Sequence, residues 1–134
     1  MAESLRRVVV TGLGIVSPLG IGTEETWQGL SGGRSGITEV TTFDASSLPT
    51  RIAGEVKGFV PGAYVENRKI LKVLSRSDGF GMAAAGMAWR DAGLAGAQFD
   101  ASRGGLYVAC SKEPTPAGGL DEVALASLTA TGEL

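Results

Sequence analysis

A run of valines that leads directly into a glycine-rich turn is the feature that most constrains the fold of this chain. The segment RRVVVTGLGIVSPLG, residues 6–20, places valines at residues 8–10 ahead of Gly12 and Gly14. A continuous apolar run of this kind is typical of a strand buried on both faces, as in a sheet covered by helices. The sequence therefore predicts a buried first strand that ends at the glycine turn.

A first helix is predicted after this turn. Thr23 is its predicted N-cap, because a threonine hydroxyl can accept a hydrogen bond from an early backbone N–H. Trp27 and Leu30 are predicted to form its apolar side, and the pair Gly32-Gly33 is predicted to end it.

A longer second helix is predicted over residues 71–92, with Gly93 as its stop. Between the two helices, residues 34–61 are rich in glycine, serine and threonine, and they predict a surface excursion with one or two short strands. Glycines and alanines crowd residues 79–86 of the second helix. Because each internal glycine costs about 1 kcal/mol relative to alanine, this cluster predicts that another element approaches the helix closely.

The order of these elements predicts an α/β fold. The segment GGLYVAC, residues 104–110, is predicted to be a second buried strand, so that strand, helix, excursion, helix and strand follow one another. Residues 111–134 are predicted to be a flexible tail with a short helix from about Asp121. The whole of residues 1–134 is interpreted as a single partial domain.

The glycine turn permits two interpretations. In the first, it is a structural corner that lets the backbone approach another element. In the second, it begins a dinucleotide fingerprint that places a pyrophosphate on helix N-terminal amides. The second fits poorly, because Ser17 stands where the fingerprint requires a third glycine or alanine, and Pro18 interrupts the helix that should begin there.

The side-chain inventory excludes several kinds of site. The chain has one cysteine and no histidine, so it cannot assemble a Cys/His or Ser/His pair, an internal disulfide or an ordinary zinc site. Its net charge of −2 gives no overall attraction for nucleic acid. With no signal-peptide pattern and no apolar run long enough to span a membrane, the sequence predicts a cytoplasmic protein.

Several motifs in order resemble the amino-terminal region of the β-ketoacyl-acyl-carrier-protein synthases, the condensing enzymes of fatty-acid and polyketide synthesis. They are RRVVVTGLGIVSPLG, then EETWQGLSGGRSGI, then Phe43-Asp44, and finally WRDAGL at the end of the second helix. The resemblance implies part of a thiolase-like fold, a layered α/β structure with a central mixed sheet. In that fold the glycine turn is structural.

The resemblance also implies a reaction, and it implies that this chain lacks the catalytic groups for it. Members join an acyl thioester to a malonyl extender by decarboxylative Claisen condensation, using a cysteine and two histidines. Relatives carry these groups beyond the region matched here, so this chain is expected to contain no catalytic residue. Cys110 lies in a predicted strand rather than in the family's nucleophile position, and we interpret it as a core residue.

The resemblance implies roles for residues at two further positions in the sequence. Basic residues ahead of the second helix dock the acidic acyl carrier protein in related synthases, which implies this role for Arg68, Lys69 and Lys72, with Arg76 as an extension. An ordinary solvated face is the alternative. Lys112 falls at the position of the acyl-pocket gate, where relatives have an apolar residue, and a charged gate is costly unless it is paired or exposed.

The leading hypothesis is therefore the amino-terminal portion of a β-ketoacyl synthase that is inactive alone. Its expected partners are the acyl carrier protein and either a second copy or a second ketosynthase polypeptide with the Cys/His/His site. No metal and no cofactor are expected beyond the phosphopantetheine arm of the carrier. The alternatives are a non-catalytic ketosynthase-like interaction module and a Rossmann-type nucleotide-binding module.

Overall fold

The structure is a computed structural model that describes residues 7–109 of the chain of 134 residues. The described residues fall into two compact units, which divide after Gln98. The strands and helices of the described residues are β1 (Val16–Ser17), β2 (Gly20–Ile21), α1 (Thr23–Ser31), β3 (Thr38–Glu39), β4 (Ile52–Ala53) and α2 (Arg76–Asp91), with short 3₁₀ helices at Pro61–Ala63, Ile70–Lys72 and Ala101–Arg103.

A tight hairpin follows the glycine turn. Strands β1 and β2 pair antiparallel, with Ser17 opposite Gly20. The Ser17 hydroxyl donates to the Gly20 carbonyl at 3.2 Å and accepts the Leu19 N–H at 3.2 Å. The buried Thr26 hydroxyl of α1 donates to the same carbonyl at 3.3 Å. Ser17, which breaks the dinucleotide fingerprint, therefore fixes the hairpin and joins it to α1.

Helix α1 begins at Thr23, which the sequence predicted to be the N-cap that precedes the helix. Gly22 occupies the N-cap position with φ 113°, a conformation that glycine adopts without the strain of a side chain. The prediction that Thr23 is the N-cap is wrong, and its hydroxyl lies 3.5 Å from the Leu13 carbonyl oxygen, to which it donates. The predicted stop is confirmed: Gly32 caps the helix, and Gly33 has φ +67°.

The excursion contains the short strands that the sequence predicted. Strands β3 and β4 pair antiparallel, and the Val40 N–H extends the ladder by donating to the Arg51 carbonyl at 2.9 Å. The Glu55 carboxylate accepts hydrogen bonds from the backbone N–H and the hydroxyl of both Thr41 and Thr42, at 2.7–3.1 Å. These bonds, led by that from the Thr41 hydroxyl, lower the pKa of Glu55 to about 2.

Helix α2 is shorter than the predicted 71–92. It begins at Arg76 because Ser75 and Asp78 form a capping box, in which each side chain accepts the other residue's backbone N–H at 3.1 Å. The residues just before it form the 3₁₀ helix Ile70–Lys72. Gly93 has φ +70° and follows the C-cap, so the predicted stop is confirmed.

The glycine turn and α2 pack directly against each other. A Cβ atom on Gly12 would overlap the Ala88 carbonyl oxygen, and one on Gly14 would overlap the Ala84 carbonyl oxygen. The Asp91 carboxylate accepts the Leu13 N–H at 2.8 Å and closes the same contact. The close approach that the small residues of α2 predict is confirmed.

The two predicted buried strands are not formed. Residues 8–10 are in no strand and are 75–92% exposed, and residues 104–109 are in no strand either, with 106–108 at 77–97% exposed. Among residues 7–109, no strand pairs with either segment, and a strand is stabilised only by a neighbouring one. Cys110 lies outside the described residues.

The hydrophobic core of the described part is small. Its buried apolar side chains are Ala45, Phe59, Val65 and Ala83. Trp27 and Leu30, predicted to be the apolar side of α1, are 64% and 58% exposed instead. The helices of residues 7–109 include none that is long and apolar enough to cross a membrane.

Candidate functional site

The predicted basic residues lie on an ordered turn, which we call the basic segment, residues 67–72. The Asn67 side-chain oxygen accepts the Lys69 N–H at 3.1 Å, and the Asn67 carbonyl accepts the Ile70 N–H at 3.1 Å. An asparagine that bonds to the backbone two residues on makes a local turn. Asn67 therefore holds the segment in a defined shape, a positioning role that was not predicted from the sequence.

The cationic side chains of the basic segment project into solvent. Arg68, Lys69 and Lys72 are all exposed. Within residues 7–109, none of the three side chains forms a hydrogen bond or an ion pair with another side chain or the backbone. The structure thus concentrates positive charge at one place on a chain whose net charge is −2, which is the local patch that electrostatic docking of an acidic partner requires.

Arg76 differs from the other three cations. Its guanidinium donates to the Val56 carbonyl at 2.7 Å and lies 5.2 Å from the centre of the Phe80 ring. This geometry is a cation–π contact combined with a backbone hydrogen bond. Arg76 therefore joins the start of α2 to the segment after β4, and its proposed part in docking stays a prediction.

An aromatic cluster packs against the start of α2. The Phe59 ring stacks on Tyr64, with ring centres 5.5 Å apart, and meets the Phe80 ring edge-on at 4.8 Å. Gly79 leaves room for this cluster, since a Cβ there would lie 3.2 Å from the Phe59 ring. The chain that leads into the basic segment is thereby packed against α2.

A cleft of about 520 Å³ opens between that chain and the outer side of α2. We call it the α2 cleft. Its lining residues are Tyr64, Val65, Glu66, Asn67, Met82, Gly86, Trp89, Arg90 and Ala95. The sequence did not predict this cleft, although the helical spacing of Met82, Gly86 and Trp89 places all three on one side of α2.

The remaining predicted positions cannot be placed. Lys112, the predicted gate, and Cys110 both lie outside the described residues. Within residues 7–109, no group of three or more acidic, cysteine or histidine side chains is arranged to hold a metal ion.

Comparisons with known proteins agree on one family. The sequence model described as "Beta-ketoacyl synthase, N-terminal domain" matches residues 5–132. The chain is 44% identical over 106 residues to 3-oxoacyl-(acyl-carrier-protein) synthase 2 of Coxiella burnetii, covering 77% of this chain and 25% of that protein. It is 45% identical over 87 residues to the tetracenomycin polyketide synthase ketoacyl synthase beta subunit of Streptomyces glaucescens, covering 65% and 21%.

A solved structure gives the same result. The chain matches the ishigamide ketosynthase/chain length factor at a TM-score of 0.61 and 42% identity, over 66% of this chain and 22% of that one. This match confirms the predicted fold class, a partial thiolase-like α/β fold. The chain spans about a quarter of the length of the proteins it matches.

Proposed function

The chain belongs to the β-ketoacyl synthase family, and we propose that it is the amino-terminal portion of a β-ketoacyl-acyl-carrier-protein synthase that contributes scaffold and a carrier-docking surface. The observation that carries the proposal is the match of the family's N-terminal domain to residues 5–132. The relatives it resembles are named as a 3-oxoacyl-(acyl-carrier-protein) synthase and as a subunit of a polyketide synthase, which supports a role in fatty-acid or polyketide synthesis.

The proposed reaction is the decarboxylative Claisen condensation of acyl and malonyl thioesters. It needs a thiolate to hold the acyl group and donors aimed at the negative charge that develops on the reacting thioester. With no histidine in its sequence, this chain supplies scaffold and docking contacts, and we expect no condensation by the chain alone. The phosphopantetheine arm of the carrier is the only prosthetic group that this reaction requires, and we expect it to take place in the cytoplasm.

The basic segment supports the docking role. Three exposed cations on an ordered turn suit an acidic carrier protein, because opposite surface charge accelerates encounter and fixes orientation. The exposed valines at residues 8–10 support the scaffold role, since an apolar segment with 75–92% of its surface exposed is stabilised when neighbouring strands of a complete sheet cover it.

A charge-reversal experiment tests this function. We expect an acyl carrier protein to bind the chain, and we expect the double variant Arg68→Glu/Lys69→Glu to weaken binding by about tenfold or more at low salt. The matched control is Arg51→Glu/Lys57→Glu, which makes the same charge change on the β3–β4 excursion. Equal binding by the two variants would contradict the proposal, as would acyl condensation by the chain alone.

A second candidate function is a non-catalytic module that pairs with a condensing enzyme. It is favoured by the names of two similar proteins, a ketoacyl synthase beta subunit and a ketosynthase/chain length factor. Light scattering of the chain with a complete condensing enzyme separates the two candidates. A stable complex with an intact, active enzyme supports the module, whereas a complex formed only with a carboxy-terminal ketosynthase fragment supports the split synthase.

A further inference from the structure

We propose that a pocket in the loop that joins β3 to β4 binds a small zwitterion, a free α-amino acid with an apolar side chain. We call this cavity of about 260 Å³ the hairpin pocket. Its lining includes Glu39, Val40, Phe43, Asp44, Ala45 and Arg51. The inference concerns a small ligand rather than a protein partner, and it does not depend on the docking of a carrier protein.

The loop around the pocket is held in place by hydrogen bonds. The Val40 N–H donates to the Arg51 carbonyl at 2.9 Å and closes the two ends of the loop together. Within the loop, the Asp44 carboxylate accepts the Ser46 N–H at 2.9 Å, and the Arg51 Nε donates to the Leu48 carbonyl at 3.4 Å. Compact loops whose ends lie close together are frequently functional. These bonds give the pocket a defined shape before any ligand binds.

Charges of both signs line the pocket without pairing with each other. Arg51 supplies the positive charge, and Glu39 and Asp44 supply the negative charges. Within residues 7–109, no ion pair joins Arg51 to either carboxylate, and the bond from Nε is the only one that the guanidinium donates. The Glu39 carboxylate accepts no hydrogen bond from these residues. A guanidinium has five N–H donors, so Arg51 has donors left for a ligand.

A zwitterion matches this arrangement better than an ion of one sign. A simple anion would be repelled by the two carboxylates, and a metal cation would be repelled by Arg51, because like charges placed opposite one another cost energy. An α-amino acid carries a carboxylate that fits the planar fork of a guanidinium. It also carries an ammonium group, whose three donors suit Glu39 and Asp44.

The size and the apolar wall of the pocket limit the side chain of the ligand. Phe43 lines the pocket with 57% of its surface exposed, beside Val40 and the buried Ala45. An exposed aromatic ring offers a large apolar surface that a ligand can cover. At about 260 Å³, the pocket is smaller than the roughly 300 Å³ at which sites for drug-sized ligands begin. We therefore expect a ligand of the size of leucine.

L-Leucine is the probe for this site, and two analogues isolate its charges. Isoamylamine is leucine without the carboxyl group, and isocaproate is leucine without the amino group. In NMR titrations of the isotope-labelled full chain, we expect L-leucine to shift the amide signals of residues 43–46 and of Arg51 and to saturate with a Kd of about 1 mM. Each analogue should bind at least about tenfold more weakly, because it leaves one sign of charge in the pocket unpaired.

Variants that remove each sign of charge assign the contacts. Arg51→Gln should raise the Kd for L-leucine by about tenfold, because pairs of arginine and carboxylate are strong charge-assisted hydrogen bonds. Glu39→Gln/Asp44→Asn should have a similar effect through the ammonium group, and the remaining amide oxygen at residue 44 can still accept the Ser46 N–H. The matched control is Lys57→Gln, which makes the same charge change as Arg51→Gln outside the pocket lining and should leave the Kd unchanged.

Three results would overturn the inference. The first is that L-leucine shifts no amide signal of the pocket, and the second is that isoamylamine or isocaproate binds as tightly as L-leucine. The third is that Arg51→Gln and Lys57→Gln have equal affinity for L-leucine. Each of these results leaves the docking proposal standing, since that proposal is tested by the carrier protein and by charge reversal at Arg68 and Lys69.

Discussion

The two sides of α2 differ in the size of their side chains. On the inner side, small residues let the backbone of Gly12 and Gly14 come into direct contact with the helix. On the outer side, Met82 and Trp89 stand beside a loop and leave a cleft open. Backbone packed on backbone leaves no room for a ligand, whereas large side chains that are only half covered leave space for one. The inner side is therefore structural, whereas the outer side leaves a cleft open.

A single added methyl group should damage the inner side most. Gly14→Ala places a Cβ where the Ala84 carbonyl oxygen lies and 2.7 Å from the Ala88 nitrogen. Because backbone cannot move aside as a flexible side chain can, we expect a loss of about 3 kcal/mol in the free energy of unfolding, measured by urea denaturation.

The control for that variant is Gly81→Ala, the same change on α2 where a Cβ meets nothing. It should raise stability by about 0.5–1 kcal/mol, because alanine favours the helix. Similar effects of the two variants would mean that the glycine turn does not pack on α2 as described.

The hydrogen bond from Leu13 to Asp91 should contribute less than the packing. Asp91→Ala removes the acceptor at 2.8 Å, and we expect a loss of about 1 kcal/mol, the size typical of an ordinary protein hydrogen bond, because this bond is exposed. Hydrogen exchange at the Leu13 amide should speed up in this variant. Unchanged exchange at that amide would contradict a stabilising hydrogen bond from Leu13 to Asp91.

The outer side should tolerate the change that the inner side does not. Gly86→Ala should leave the structure intact and stabilise α2 by up to about 1 kcal/mol, because the nearest atom is 3.7 Å away at the end of a flexible side chain. A thermal melt checks this prediction, and a marked loss of stability would show that the outer side is as tightly packed as the inner one.

The smallest effect belongs to a site on neither side of α2. Hydrogen bonds lower the pKa of Glu55 from 4.5 to about 2. A carboxyl whose pKa is depressed in the folded state contributes stability above pH 4.5, and this contribution is lost as the pH falls towards 2. Glu55→Gln should therefore lose less stability than the parent chain between pH 5 and pH 2, as measured by urea unfolding at each pH. If the stability of the variant and of the parent chain depended on pH in the same way, the hydrogen bonds from Thr41 and Thr42 to Glu55 would be contradicted.

The sequence was informative where local chemistry decides the structure. The glycine stops at Gly33 and Gly93 and the close approach of another element to α2 follow from rules that act within a few residues, and all were predicted correctly. The start of α2 was missed because the Ser75 and Asp78 capping box competes with a longer helical pattern.

The failures concern features that depend on distant partners. The valines at residues 8–10 have the pattern of a buried strand, yet a strand requires a neighbour, and none of the described strands pairs with them. The α2 cleft was missed for a related reason. Helical spacing places Met82 and Trp89 on one side, but only the fold reveals that residues 64–67 form the opposite wall.

The central claim, that the basic segment binds a carrier protein while the inner side of α2 holds the fold, is tested most directly by an NMR titration of the isotope-labelled chain with an acyl carrier protein. We predict that amide signals of residues 67–72 shift, while those of Gly12 and Gly14 stay in place. Shifts concentrated at the glycine turn, or shifts nowhere in the chain, would contradict it.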